Sequence, residues 1–179
     1  MSNQMFQPNS SNQECPAKAY LARQPEGLTI NGYRNWVAGY LTKCESHWEQ
    51  CQQEFISVLG EQDGQLAANA LSNFVQSLGH CATCPLKCYA PNSGHLNSDE
   101  CMLLGLIASL QHGDDEALQE SINALSCLAK CSQILAPAGE YAMVMKSAGS
   151  LLLPIPAAVL AEIHAKNQSQ EHITNYTIH

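Results

Sequence analysis

A chain of 179 residues, 45% of them hydrophobic, is long enough for one domain with a buried core. Only 13% of the residues are charged, and eight Lys and Arg are scattered under a net charge of −8. This balance argues against nucleic-acid binding and against an anionic membrane surface, both of which need concentrated positive charge. No stretch reaches the ~18 consecutive apolar residues of a membrane-spanning helix.

From Met1 to Gly27 the chain is polar, rich in Gln, Asn, Ser and Pro, and free of any hydrophobic period. It lacks the basic and apolar regions of a signal peptide, so a cytoplasmic location is expected. Residues 1–27 read as a flexible arm, residues 28–166 as a helical domain and residues 167–179 as a flexible tail. Within the domain nothing alternates as a strand does.

The first helix is expected from about Asn31 to Leu59. Tyr33, Val37, Tyr40, Cys44, His47 or Trp48, Cys51, Phe55 and Val58 recur at steps of three and four and make one apolar face. Gly60 ends it. A second helix is expected from Asp63 to Leu78, with Leu66, Ala70, Phe74 and Leu78 inward and Gly79 as its stop. After a cysteine-rich loop, Asn97 and Glu100 stand in capping-box register and open a third helix, Ser98 to His112. Its apolar residues cover nearly every side, the mark of a central helix. Asp114, Asp115 and Glu116 favour the start of a fourth through the helix dipole. The fourth should stop before Pro137, the fifth should run from Ala138 to Leu153, and Pro156 suits the first position of a short sixth ending near Lys166. His112 would cap its own helix, and Met143, Met145, Tyr33 and Tyr40 fall at core spacing. The expected fold is all-α, a compact bundle of five to six helices with the cysteine-rich loop between helices 2 and 3.

Nine cysteines is an odd number, so complete pairing within one chain is impossible. The densest group lies in the loop: His80, Cys81, Cys84 and Cys88. C-x2-C brings two sulfurs onto one metal through a tight turn, and a third thiol follows four residues on. Pro85 suits the first position of a short helix capped by Cys84, whose amides would stabilise a thiolate. Cys101, in the first turn of the next helix, is the favoured fourth ligand; His80 and His95 are alternatives. Four thiolates suit an iron–sulfur cluster or tetrahedral zinc. The spacing C-x2-C-x3-C-x12-C matches neither a ferredoxin run nor a zinc ribbon. A long loop flanked by Pro and Gly between apolar helices favours the cluster. Structural zinc in a helical interaction module is one alternative. A metal-free switch is the other, with a Cys81–Cys84 disulfide resolved by Cys88.

Other thiols carry weaker signals. Cys44 and Cys51 cannot share one zinc from a straight helix. Seven residues rise about 10.5 Å, against about 4 Å between sulfurs on one zinc. With His47 they read as seam residues. Cys127 and Cys131, at i,i+4, could bind a soft metal but read as core or flank. Cys15 sits in the arm, and the dipeptides Cys15-Pro16 and Cys84-Pro85 are too few to signal haem. No catalytic motif is present: no nucleophile elbow, phosphate loop or H-E-x-x-H. The reading is therefore an accessory metal protein that senses, transfers electrons or assists assembly with a partner protein, rather than an enzyme.

Overall fold

The computed structural model describes residues 16–81, 86–126 and 131–174. Every element among them is an α-helix, and there are eight: α1 (Pro16–Leu21), α2 (Gln24–Thr42), α3 (Ser46–Leu59), α4 (Glu61–Cys81), α5 (Ser98–His112), α6 (Asp115–Leu125), α7 (Cys131–Ser147) and α8 (Ala157–Thr174). The all-α class is as expected, and the count exceeds the expected five to six. No described helix is long and apolar enough to cross a membrane.

Two differences account for the extra helices, and two more shift helix ends. The seam expected from Asn31 to Leu59 breaks at Lys43, which takes the left-handed conformation with φ 53°. No Gly or Pro marks this break, and apolar spacing continues on both sides of it, so periodicity alone runs through. Residues 16–27 are not an arm: α1 and the first turn of α2 occupy them, and Glu26 is fully buried. Pro25 fits there because the first turn of a helix needs no amide donor. The fourth helix ends at Leu125, and Pro137 lies inside α7 rather than ending a helix. At the far end, α8 runs to Thr174, past the expected Lys166.

The third helix follows its sequence signal closely. Asn97 accepts from the Glu100 amide at 2.9 Å, the Glu100 carboxylate accepts from the Asn97 amide at 3.1 Å, and Gly113 closes the helix at φ 72°. Its residues Met102 to Ala108 are buried, which makes α5 central. It packs against α6, α7 and α8, while α4 packs between α3 and α7. Phe55, Phe74 and Tyr141 meet at the heart of the core, with Phe74 stacked on Tyr141 at 6.5 Å. The Tyr141 hydroxyl is satisfied by Thr29 Oγ1 at 2.9 Å.

Some expected core positions lie outside. Tyr40 is 53% exposed, Leu66 51% and Met143 52%. On α4 the inward stripe is Ala67, Ala70, Leu71, Phe74 and Leu78, so Leu66 falls one position off the buried face. Backbones approach closely where α3 meets α4. There a Cβ on Gly64 would stand 2.5 Å from the Ile56 Cα. His112 does not cap its own helix; its Nε2–H donates to the Leu152 carbonyl at 2.8 Å.

Candidate functional site

Residues 89–97, which lead into α5, are anchored by one buried ion pair. Arg34, on α2, is 1% exposed and Glu100, on α5, is 0% exposed. The guanidinium donates from Nε to Glu100 Oε1 at 2.7 Å and from Nη2 to Oε2 at 2.9 Å. It also donates to the carbonyls of Ser93, at 2.8 Å, and His95. Glu100 in turn accepts the amides of Tyr89, at 3.0 Å, and Asn97. A charge removed from water costs several kcal/mol unless paired and hydrogen-bonded; here Arg34 donates four hydrogen bonds and Glu100 accepts four.

One turn before Arg34, Asn31 performs the same task at the loop tip. It donates to Asn92 Oδ1 at 3.1 Å and accepts the Asn92 amide at 2.9 Å. Asn92 itself is left-handed, with φ 63°. The Tyr89 ring lies over the Arg34 guanidinium, 5.9 Å from its carbon. Residues 86–97, which contain no helix, are thereby laid on α2 and on the start of α5.

This arrangement sets the place of two candidate ligands. The amides flanking Cys88 both point to the first turn of α5: Lys87 N–H donates to Asp99 at 2.7 Å and Tyr89 N–H to Glu100. Cys101 is the next residue on that turn. Both thiols are partly buried and both feel the Glu100 carboxylate. Burial, then Glu100, raises the Cys88 thiol above its ordinary value, while Arg34 partly offsets this. The same two causes push Cys101 up to about 11. Burial and Glu100 thus favour the protonated form of both thiols, and a metal would have to displace those protons.

Cys81 ends α4, but its side chain lies outside the described residues, as does all of Cys84. His80 precedes it on α4 and donates from Nδ1 to the Gln76 carbonyl at 2.7 Å. That bond selects the tautomer whose lone pair is on Nε2, the arrangement of metal-ligating imidazoles. Among the described residues, no three His, Cys, Asp or Glu side chains converge to hold an ion. Cys101 stands on the first turn of α5 and Cys88 on the connection hydrogen-bonded to that turn, so the two described candidate ligands lie on neighbouring segments.

The remaining expectations separate. Cys44, His47 and Cys51 do not act together. Cys51 is fully buried, and its thiol is pushed up to about 12 by desolvation and then by Glu54. His47 pairs with Asn35 through Nδ1 at 3.3 Å. Cys44 is exposed, against its expected place on the seam, because the chain turns at Lys43. Its thiol is lowered from the ordinary value by hydrogen bonds to Ser46, with Ser46 Oγ at 3.0 Å. Cys15 and Cys127 lie outside the described residues, as does the Cys131 side chain. His95 holds the loop through its carbonyl to Arg34 and through its amide to Ser93 Oγ at 3.3 Å.

Sequence reasoning missed Arg34. The signal was there: Arg34 is one of two arginines in the chain and stands on a helix between Tyr33 and Asn35, four residues after Ile30, in a buried run.

A second feature lies apart from all these ligands. A cleft of about 300 Å³ opens between α3 and α4. Glu45, Trp48, Glu49 and Gln52 form one wall, Ala68, Asn69 and Ser72 the other, and Trp36 and Cys51 complete the lining. Trp36 and Trp48 stack at 5.3 Å, and Tyr40 meets Trp48 edge-on at 5.8 Å. Trp48 donates its indole N–H to the Trp36 carbonyl at 3.3 Å. The Trp36 Nε1 is buried without a hydrogen bond of acceptable geometry; its polar neighbour is the Cys51 sulfur.

No protein-family model, curated protein or solved structure matches this chain.

Proposed function

We propose that the segment joining α4 to α5 holds one soft metal centre, an iron–sulfur cluster in preference to zinc. Cys81, Cys84, Cys88 and Cys101 are its ligands, with His80 as the alternative donor. The observation that carries this reading is the pair of amide bonds from Lys87 and Tyr89 to Asp99 and Glu100. They lay the backbone around Cys88 against the turn that bears Cys101, and the Arg34 clasp secures that contact. When bound, the metal or cluster would supply either a rigid cross-link between two helix ends or a one-electron couple. This chain's own residues orient the thiols and shield them.

A thiol switch has weaker support. A switch needs Cys88 to attack as a thiolate, a form that burial and Glu100 disfavour and that no bound metal is there to stabilise. The free thiols at Cys44, Cys51, Cys88 and Cys101 accord with a reducing compartment. The role is accessory, serving a partner protein as sensor, electron carrier or assembly factor.

The test is purification without oxygen, followed by a visible spectrum and analysis for iron, zinc and acid-labile sulfide. Brown protein with equal iron and sulfide supports the cluster. Colourless protein with one zinc per chain makes the centre a structural clasp. Metal-free protein, reconstituted without uptake of either metal, overturns the proposal.

A further inference from the structure

The cleft between α3 and α4 has a chemistry of its own. Glu45, Trp48, Glu49 and Gln52 recur at steps of three, one and three along α3, so they face one way. Acidic residues at a helix start need no ligand to explain them. What distinguishes this pair is the aromatic surface between them. Glu45 and Glu49 stand about 6 Å apart along the helix axis and bracket Trp48, which is stacked on Trp36 and edged by Tyr40. Neither carboxylate has an ion-pair partner among the described residues. Across the cleft, Asn69 and Ser72 offer neutral donors and acceptors.

Gly39 makes this wall possible. A Cβ there would stand 2.3 Å from Trp48 Nε1, so the indole can lie flat on α2 only because residue 39 has no side chain. Aromatic faces attract cations through the ring quadrupole, most strongly for tryptophan. A quaternary ammonium offers no N–H to satisfy and is held by a ring face with carboxylates nearby. The volume, about 300 Å³, suits a small molecule.

We propose that this cleft binds a small free quaternary ammonium compound. Its cationic head lies on the indole surface between Glu45 and Glu49, and its polar tail meets Gln52, Asn69 or Ser72. The site shares no residue with the metal ligands, so it stands whatever becomes of the metal centre.

The chain has two tryptophans, and both line the cleft. Intrinsic tryptophan emission of the full chain therefore reports on this site alone. The probes are choline and its neutral isostere, 3,3-dimethyl-1-butanol. Choline is expected to change the emission saturably, and the neutral isostere to bind at least about tenfold more weakly. The double variant Glu45→Gln, Glu49→Gln alters exposed positions, keeps its helical circular dichroism and weakens choline binding by about tenfold. Gly39→Ala keeps both carboxylates but displaces Trp48, and it too loses choline binding. The proposal is overturned if the two probes bind equally. It is also overturned if choline produces no saturable change, or if the double variant binds choline as the unaltered chain does.

Discussion

Arg34→Met removes the centre of the clasp while keeping a long unbranched side chain. Its cost follows from what remains. Glu100 stays fully buried and keeps the amides of Tyr89 and Asn97, but loses its two guanidinium bonds and its counter-charge. The carbonyls of Ser93 and His95 lose their donor as well. Breaking one side of a buried ion pair costs about 3–5 kcal/mol, and the two retained amides put the expectation near the lower end. At a urea slope of about 2 kcal/mol per molar, the midpoint should fall by about 1.5 M, read by far-UV circular dichroism. In the double variant Arg34→Met, Glu100→Leu no buried charge is left unpaired. Its loss should be smaller than the sum of the two single losses by about 2 kcal/mol. Amide exchange at Tyr89 should accelerate in both. A loss below about 1 kcal/mol for Arg34→Met, or strict additivity in the double variant, would refute the assignment of the clasp.

Other perturbations probe separate parts of the molecule. Gly64→Ala should destabilise by about 1–3 kcal/mol, because the new methyl group meets backbone atoms of Ile56 and Phe55 rather than a side chain that can turn aside; thermal unfolding checks this, and an unchanged midpoint contradicts the close approach. Asn97→Ala should cost about 1 kcal/mol through loss of the capping box, measured as a shift in the urea midpoint, and a neutral substitution would mean that the cap contributes nothing. Alkylation at pH 7 followed by peptide mapping should label Cys44 well before Cys51, since one thiol is exposed and lowered and the other buried and raised; the reverse order would be decisive against the burial pattern. Cys51 rises from 9.0 to about 12 on folding, so the folded state holds its proton longer than the unfolded state does. Its share of stability is full below pH 9 and falls above it, by roughly 1 kcal/mol between pH 8 and 10. Cys51→Ala should show that much less decline over the same range.

The legible parts of the fold are those in which a local signal and the tertiary structure agree. Asn97, Glu100 and Gly113 fix both ends of α5 by backbone chemistry that needs no neighbour, and their helix matches its expected range. The break at Lys43 was not legible. A lysine has no preference for φ 53°; it adopts that angle because α3 turns back to pack on α2 and α4, a constraint that comes from the rest of the chain. Leu66 was misread for a related reason. Several α4 residues are alanines, so the apolar face admits more than one phase, and packing on α7 selected Ala67 and Leu71. Of the candidate site, spacing picked out the cysteines of the connection. The way residues 87–89 are laid on the first turn of α5 was not legible, because it depends on Arg34, more than fifty residues away on α2.

The chain's two arginines explain how irregular backbone is positioned in this bundle. Arg23 pairs with Glu26 at 3.1 Å and Arg34 with Glu100 at 2.7 Å, and both carboxylates are fully buried. Each carboxylate also accepts amides from a connection that forms no helix. Glu26 takes the Leu153 amide at 2.7 Å, between α7 and α8, and Glu100 takes those of Tyr89 and Asn97. Apolar faces settle how helices pack, but they cannot direct a connection whose amides need acceptors. A buried carboxylate supplies that acceptor, and its arginine makes the burial tolerable. The same device thus secures two connections, and the one under Arg34 carries Cys88. The proposed ligand geometry accordingly depends on α2, which contributes none of the ligands. Substitutions at Arg34 or Asn31 should therefore lower metal content with every cysteine intact, and metal content unchanged in Arg34→Met would place the ligands outside the control of the clasp.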